Sequence, residues 1–537
     1  VTLQQAAMAR LSNVLQLPPS TTEFAVDRRV RVPMRDGIDL IADHYAPQTQ
    51  TPAGTLLVRA PYGRGWPFSG LFGAVYAARG YHVVFQSVRG TFGSGGEFDP
   101  FVNEVADGAD TVAWLRDQPW FTGTFATIGL SYLGWTQWAL HSDPPPELKA
   151  SVITVGPHDV SGPRWGTGSF ALNDFLGWSD LVSRQENPNR LRLLLRQARA
   201  QRLVTRASLG SPLGASSRAL LGTGAPWFET WLDHPDPDDP FWTGLRFDDV
   251  LASSEVPVLF LTGWQDLFLE QTLEQYTKLR DRGVTAGLTV GPWTHGHMMT
   301  KAAPTVLRET LDWLGTHLGG ESPTRSAPVR IHVNGVGWRD LPEWPPAAKD
   351  LVLFPSPGGG LQSSPPDSGQ SQTFVYNPAD PTPTVGGRLL SPAGGYRDDA
   401  SLSRRADTLT FTSDPLPTDL QVIGTPEVQL SHSCPNPYND LFVRISQVDA
   451  QGGSRNVSDG YLAAAPSGAA RIELDSLAWT FPAGSRIRVL VAGGSHPRFL
   501  RNRGTGELSS GATTFATARH TVHLGEATRL TLPVSGD

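Results

Sequence analysis

The sequence predicts an α/β class, in which a mostly parallel sheet covered by helices is interrupted by a helical insertion and followed by an all-β region. Three observations carry this. Short apolar runs alternate with helical stretches in the first third of the chain. Strands resume after a Pro/Asp-rich middle, and beyond Ser326 the pattern changes to alternating runs broken by Pro, Gly and Asn.

Residues from Glu23 to Tyr45 alternate polar and apolar across Asp36-Gly37, a hairpin signature. The runs Thr55 to Val58, Tyr81 to Phe85 and Ala126 to Gly129 suit strands buried on both faces, and Asp107 to Arg116 carries helical spacing between two of them. From about Val160 to Val250 helices and loops replace this alternation. There Leu191, Leu194, Leu195 and Ala198 predict a buried helical stripe, and Arg184, Arg190, Arg192, Arg196, Arg199, Arg202 and Arg206 predict a solvated face rather than a nucleic-acid site. Strands return at Val256 to Leu261 and Gly287 to Val290. Val329 to Val333, Leu441 to Val448 and Ile487 to Val491 read as β-sandwich strands, and Pro355 to Thr373 as a surface loop or linker. The expected domains are a core over residues 20–160 and 251–325, a cap over 161–250 and a β domain over 326–537.

Length and composition agree with several domains. Single cores stop growing near roughly 250 to 300 residues, and this chain has 537, with 39% apolar and 18% charged residues. A formal charge of -7 excludes a chain-wide basic field for nucleic acid. Cys434 is the only cysteine, so neither an internal disulfide nor a cysteine-based zinc site is available. No window reaches the ~20 apolar residues of a membrane span, and Val1 to Leu17 lacks the pattern of a signal peptide. A cytoplasmic location is the expectation. The sequence leaves open whether copies assemble into a homo-oligomer.

The chemistry concentrates in three places. Gly129-Leu130-Ser131-Tyr132-Leu133-Gly134 follows an apolar strand and precedes a helical stretch, the setting of a nucleophile elbow, although its second glycine falls one residue late for Gly-x-Ser-x-Gly. On that motif alone Ser131 is equally an ordinary loop serine. A serine nucleophile needs a base, and the base needs an acid to orient it. Asp266 lies just past Val256 to Leu261, and His295 just past the next strand, so three candidates follow strands that open on one edge of a parallel sheet. Their order, Ser, Asp, His, is that of α/β-hydrolases. His297 competes with His295 as base. Asp107 and Asp110 read as solvated or capping residues. The Arg89 to Gly96 loop lacks the Gly-Lys-Ser/Thr of a phosphate loop, and no His-Glu-x-x-His is present. No cofactor or metal is called for.

With Pro61-Tyr62, Arg89-Gly90 running to Gly96-Glu97-Phe98, Thr136-Gln137-Trp138, Gly263-Trp264-x-Asp266 and Gly291-Pro292-Trp293-x-His295, most of the chain resembles the family of cocaine esterase, X-Pro dipeptidyl-peptidases and α-amino-acid ester hydrolases. The late second glycine is what that family shows. The resemblance implies an α/β-hydrolase core, a cap inserted between nucleophile and acid, and a C-terminal jelly-roll (galactose-binding-like) domain. It implies catalysis by Ser131, Asp266 and His295, an oxyanion hole from the Tyr132 N–H and the Tyr62 hydroxyl, and an acyl pocket lined by Trp165 and Phe268. Ser87 stands where relatives commonly carry aspartate, and Arg164 to Thr167 offers no carboxylate for a substrate ammonium. The expected activity is hydrolysis of small acyl esters, amides or short peptides through an acyl-enzyme. The alternatives are an X-Pro dipeptidyl aminopeptidase, an acylase of β-lactam-type amides, or a glycan-binding protein with an inert core.

Overall fold

The computed structural model describes residues 2–187 and 195–535. Packing divides it into two compact units. One runs from the N-terminal region to Val160 and adds Thr243–Gly263 and Gln271–Arg330; the other comprises Ser161–Trp242, Trp264–Glu270 and the chain from Ile331 onward.

In the first unit, β1 (Phe24–Pro33), β2 (Asp39–Pro47), β3 (Gly54–Ala60), β4 (Tyr81–Ser87), β5 (Phe125–Leu130), β6 (Leu148–Thr154), β7 (Val258–Gln265) and β8 (Ala286–Thr294) build one sheet in the order β1-β2-β4-β3-β5-β6-β7-β8. The hairpin expected across Asp36-Gly37 forms, with β1 antiparallel to β2 and Val30 opposite Ala42. The Met34 N–H donates to the Ile38 carbonyl at 2.8 Å and closes it. β4 joins β2 antiparallel, whereas β4, β3, β5, β6 and β7 run parallel in succession. Every residue of β3 and β4 is buried, as strands covered on both faces require. The helices Glu104–Arg116 and Tyr132–His141 pack on this sheet, and Val112, Leu115 and Leu140 join Leu57, Val84 and Phe125 in one apolar cluster.

Asp107 departs from the solvated or capping role expected of it. It is buried, and Arg89 grips it with Nε at 3.0 Å and Nη2 at 2.6 Å. Asp110 pairs with Arg35 at 2.7 Å. Both partners are distant in sequence, so helical spacing alone could not reveal them. Ser87, the position without a carboxylate, accepts from the Arg64 guanidinium, which also reaches Asp43 at 3.2 Å.

His141 ends its helix in the core, between the hydroxyls of Ser254 at 2.9 Å and Ser151 at 2.8 Å. Burial pushes its pKa down to about 3. Burial, with the charge of His82 second, pushes His44 down to about 4. In an unfolded chain both would titrate near ~6.5. Above that pH both states are neutral and this contribution is intact. As pH falls below it the unfolded state takes up protons that the folded state refuses, and each group removes about 1.4 kcal/mol per pH unit. The urea midpoint is therefore expected to fall between pH 7.5 and 5, and less steeply in His141→Gln. A flat profile over that window would contradict the assignment.

In the second unit the helices Leu172–Val182, Ala200–Ser208, Leu213–Leu221 and Trp227–Asp233 pack beside a β-rich region rather than alone. The Asn173 N–H donates to the Pro497 carbonyl at 2.9 Å, and the Ala463 N–H to Thr167 at 3.0 Å. The predicted buried stripe is not formed where it is visible. Leu195 is 53% exposed and Ala198 is exposed, while Val204 and Ala207 supply the buried face of Ala200–Ser208. Leu191, Leu194, Arg190 and Arg192 lie outside the described residues. Arg184 and Arg196 converge on buried Asp180, whereas Arg199, Arg202 and Arg206 are exposed.

The strands Leu441–Val448 and Arg486–Ala492 appear where alternation placed them, and Phe411, Val443, Ile445, Phe481, Val489 and Leu532 share the β core; Val329–Val333, read as a β-sandwich strand, instead continues the first sheet beside β8. Pro355 to Thr373 is not a loop throughout. Phe354 to Ser356 pair with Gly360 to Gln362 as a hairpin, and Ser371 opens another strand. Below the core surface lies an ion-pair chain. Arg444 is fully buried and holds Asp459 through Nε at 2.6 Å and Nη2 at 2.9 Å. Arg498 bridges Asp459 at 2.6 Å and Asp475 at 3.3 Å. No helix among the described residues is long and apolar enough to cross a membrane.

Candidate active site

Ser131 sits between the last residue of β5 and the first of the helix Tyr132–His141, with φ 60° and ψ −121°. A non-glycine residue in that region is strained, and such strain persists where surrounding contacts over-determine it. Here they do. The Ser131 N–H donates to the Thr154 carbonyl at the end of β6 at 2.9 Å, and its carbonyl accepts from the Gly134 N–H at 2.8 Å.

The late glycine of the motif has a steric cause. A Cβ on Gly134 would lie 2.6 Å from the Gly156 Cα, and one on Gly156 would lie 2.7 Å from the Gly134 Cα. Two backbones touch here, one at the start of the nucleophile helix and one just past β6. This contact holds the helix against the strand behind the serine.

His295 opens the turn His295–Met299 directly after β8 and is buried. His297 serves the backbone of the same turn: its Nδ1 accepts from the Thr294 N–H at 3.2 Å. That bond commits one of its ring nitrogens to the turn. The carboxyl ends of β7 and β8 meet side by side, since a Cβ on Gly263 would fall 2.3 Å from the Trp293 carbonyl oxygen. Asp266 is the residue after β7; it is fully buried, and its Oδ2 accepts the Phe268 N–H at 2.8 Å. Tyr62 is half-buried two residues past β3, which runs parallel to β5, with its ring stacked 5.9 Å from Phe68. Ser131, Tyr132, Tyr62 and His295 thus share the carboxyl edge of one sheet, and Asp266 follows directly on its seventh strand.

Trp165 is buried and its Nε1 donates to the Trp231 carbonyl at 2.8 Å. Neighbouring Arg164 lies over Phe175 and Trp231, 4.0 and 3.9 Å from their ring centroids. The acids of the following helix are engaged as well: Asp174 accepts from Leu390 N–H at 3.0 Å, and Asp180 takes two arginines.

Sequence reasoning missed the support behind Tyr132. Its hydroxyl donates to Glu104 Oε1 at 2.7 Å and accepts the Phe101 N–H at 2.8 Å. Glu104 faces Arg59 at 2.9 Å. Burial pushes the Glu104 carboxyl up, opposed by the Arg59 charge and the Tyr132 hydroxyl. The hydroxyl is thus occupied inside the fold. No periodicity flags Glu104, because its partners come from β3 and the nucleophile helix.

His158, Asp248 and Glu274 also come within ligating reach of one another. Lys278 already lies 2.6 Å from Glu274 and Arg246 3.2 Å from Asp248, while Gln275 donates to His158 Nδ1 at 3.1 Å. These contacts describe an ion-pair cluster, with the cations that its carboxylates need.

Known proteins share this architecture. The model of the X-Pro dipeptidyl-peptidase (S15) family matches residues 36–297, and that of the X-Pro dipeptidyl-peptidase C-terminal non-catalytic domain matches residues 322–532. Cocaine esterase of Rhodococcus sp. (strain MB1 Bresler) is 30% identical over 540 residues, covering 90% of this chain and 93% of its own. An aminopeptidase from the marine sediment archaeon Thaumarchaeota archaeon superposes with a TM-score of 0.81 at 22% identity, over 97% of this chain and 98% of its own. An α-amino acid ester hydrolase gives the same score and coverage at 23% identity. The two structural likenesses establish the fold, an α/β-hydrolase-type domain followed by an all-β domain. With these matches, the chain belongs to the family of cocaine esterase and the S15 X-Pro dipeptidyl-peptidases, and it is a serine hydrolase.

Proposed function

We propose that His295, oriented by Asp266, removes the Ser131 proton as Oγ attacks a substrate carbonyl, while the Tyr132 N–H and the Tyr62 hydroxyl hold the oxyanion. The new bond joins Oγ to the acyl carbon. The bond to the leaving alcohol or amine breaks, and that group takes the proton from His295. Water, deprotonated by the same imidazole, then releases the acid and restores the serine. Trp165 and Phe268 shape the acyl pocket in this reading.

The observation that carries the proposal is the strained turn at Ser131, placed at the carboxyl end of β5 while His295 and Asp266 directly follow β8 and β7. The substrate class we favour is a small carboxylic ester or amide without a free amino end. Supporting this, the acids of the segment after Trp165 are taken by arginines and backbone N–H groups. The competing reading is release of X-Pro dipeptides, which requires a group to hold the substrate ammonium. Turnover of short p-nitrophenyl esters with none of Gly-Pro-anilide supports the first; efficient Gly-Pro-anilide cleavage that disappears on N-acetylation supports the second.

A phenol at the oxyanion is the most unusual part of the scheme. Tyr62→Phe is expected to lower kcat by about 10² to 10³ with KM little changed, as removal of one oxyanion donor does. A kcat within a factor of three of the native value would remove Tyr62 from the mechanism.

A further inference from the structure

In the second unit a cavity of about 220 Å³ opens beside the turn that ends Ala200–Ser208. Arg501 and Arg503 line it, although they are only 5% and 4% exposed. Buried guanidinium groups normally face carboxylates, because an uncompensated charge is costly to take out of water. These two form no ion pair among the described residues. Arg501 donates to the carbonyls of Pro378 at 3.1 Å, Leu209 at 2.8 Å and Gly210 at 3.2 Å. Arg503 donates to Ser211 Oγ at 2.9 Å and the Gly210 carbonyl at 3.3 Å, and its buried Nε has no hydrogen-bond partner. Both guanidinium carbons lie within cation–π reach of Phe515, at 4.7 and 4.9 Å.

The two acids in the cavity wall do not cancel this charge by contact. Asp440 is saturated by Tyr461 at 2.6 Å, Asn502 at 2.8 Å and the Ala464 N–H at 3.2 Å, and burial pushes its carboxyl up. Exposed Glu507 accepts from Thr514 at 2.7 Å and Thr505 at 3.2 Å. Carbonyl dipoles and an aromatic ring solvate the two positive charges, and exposed Glu507 acts on Arg503 through its charge rather than by contact. The rest of the wall mixes apolar side chains, Trp165, Leu232, Leu500 and Leu508 among them, with the polar Ser169, Tyr438, Asn502 and Ser509.

From guanidinium groups without an ion pair beside the apolar side chains of Leu232, Leu500 and Leu508, we propose that the cavity is a binding site for a small organic monocarboxylate, its carboxylate directed to Arg503 and its apolar body against those three leucines. A monoanion fits better than a dianion such as phosphate, because Glu507 reduces the two positive charges toward one. Trp165, proposed for the acyl pocket, also lines this cavity, but the contacts proposed here, with Arg503, Leu232, Leu500 and Leu508, do not depend on the catalytic reading.

The test is calorimetric titration of the full-length chain carrying Ser131→Ala, so that turnover plays no part. Benzoate is compared with its neutral analogue benzyl alcohol and with inorganic phosphate. Benzoate is expected to bind with one site per chain, at least tenfold more tightly than either. Arg503→Gln should weaken benzoate at least tenfold and leave benzyl alcohol unchanged. Because Arg503 also staples the Gly210 turn, a second variant avoids the fold. Leu508 is 57% exposed, and Leu508→Glu places a negative charge at the cavity and should weaken benzoate at least fivefold. Benzoate binding no tighter than benzyl alcohol, or benzoate affinity untouched by Leu508→Glu, would overturn the proposal.

Discussion

Replacing Ser131 by alanine is expected to lower kcat on activated esters by on the order of 10⁶, the cost of removing the nucleophile from a serine triad. The same change should leave stability nearly untouched. Alanine and serine meet the same penalty at φ 60°, and the backbone bonds from Thr154 and Gly134 do not involve the hydroxyl. Ser131→Gly separates the two properties further. Glycine adopts this region freely, so the variant is expected to be equally inactive and about 1 kcal/mol more stable. Active-site labelling by a fluorophosphonate, read by intact mass, should disappear in both variants. Labelling that persists in Ser131→Ala would move the nucleophile elsewhere.

The largest expected loss of stability lies in the β region. Arg444→Met removes the cation that holds Asp459 through two hydrogen bonds and lies 3.6 Å from Asp399. Arg498 still reaches Asp459, but the side-chain hydrogen bonds left to Asp399 among the described residues are those from the Ser446 and Ser454 hydroxyls, each at 2.6 Å. Breaking a buried pair by deleting one partner costs about 3 to 5 kcal/mol. The urea transition of the second unit, followed by tryptophan fluorescence, should move to lower denaturant by that amount, with ester turnover retained by whatever fraction stays folded. A shift below about 1 kcal/mol would mean that Arg444 contributes little.

These two residues differ in how readable they were. Ser131, Asp266 and His295 were legible because each follows an apolar run, and a parallel sheet gathers its strand ends on one edge whatever the loops do. Apolar runs placed β3, β4, β5, β7 and β8, and alternation across Asp36-Gly37 placed β1 and β2, whereas β6 was not read and the helix Glu104–Arg116 was read only from Asp107. Arg444 and Glu104 were not legible. A buried ion pair joins residues from different elements, and nothing in the local sequence distinguishes such an arginine from a solvated one.

The Leu195 stripe failed for a related reason. Helical spacing states which residues share a face, not which face meets protein, and here the neighbouring helix Ala200–Ser208 buries Val204 and Ala207 instead. Pro355 to Gln362 looked like a linker because Gly and Pro dominate it, yet the paired strand beside it made a hairpin.

The sequence by itself determined the fold class and the family, and it placed the candidate nucleophile, acid and base after strands, since periodicity and short motifs are local properties of a chain. Only the tertiary structure decided the rest. It explained the late glycine by the contact of Gly134 with Gly156, engaged His297 in a turn, tied the Tyr132 hydroxyl to Glu104, and left Arg501 and Arg503 without an ion pair among the described residues. Each of these depends on what approaches a side chain from a distant part of the chain, and folding alone sets that.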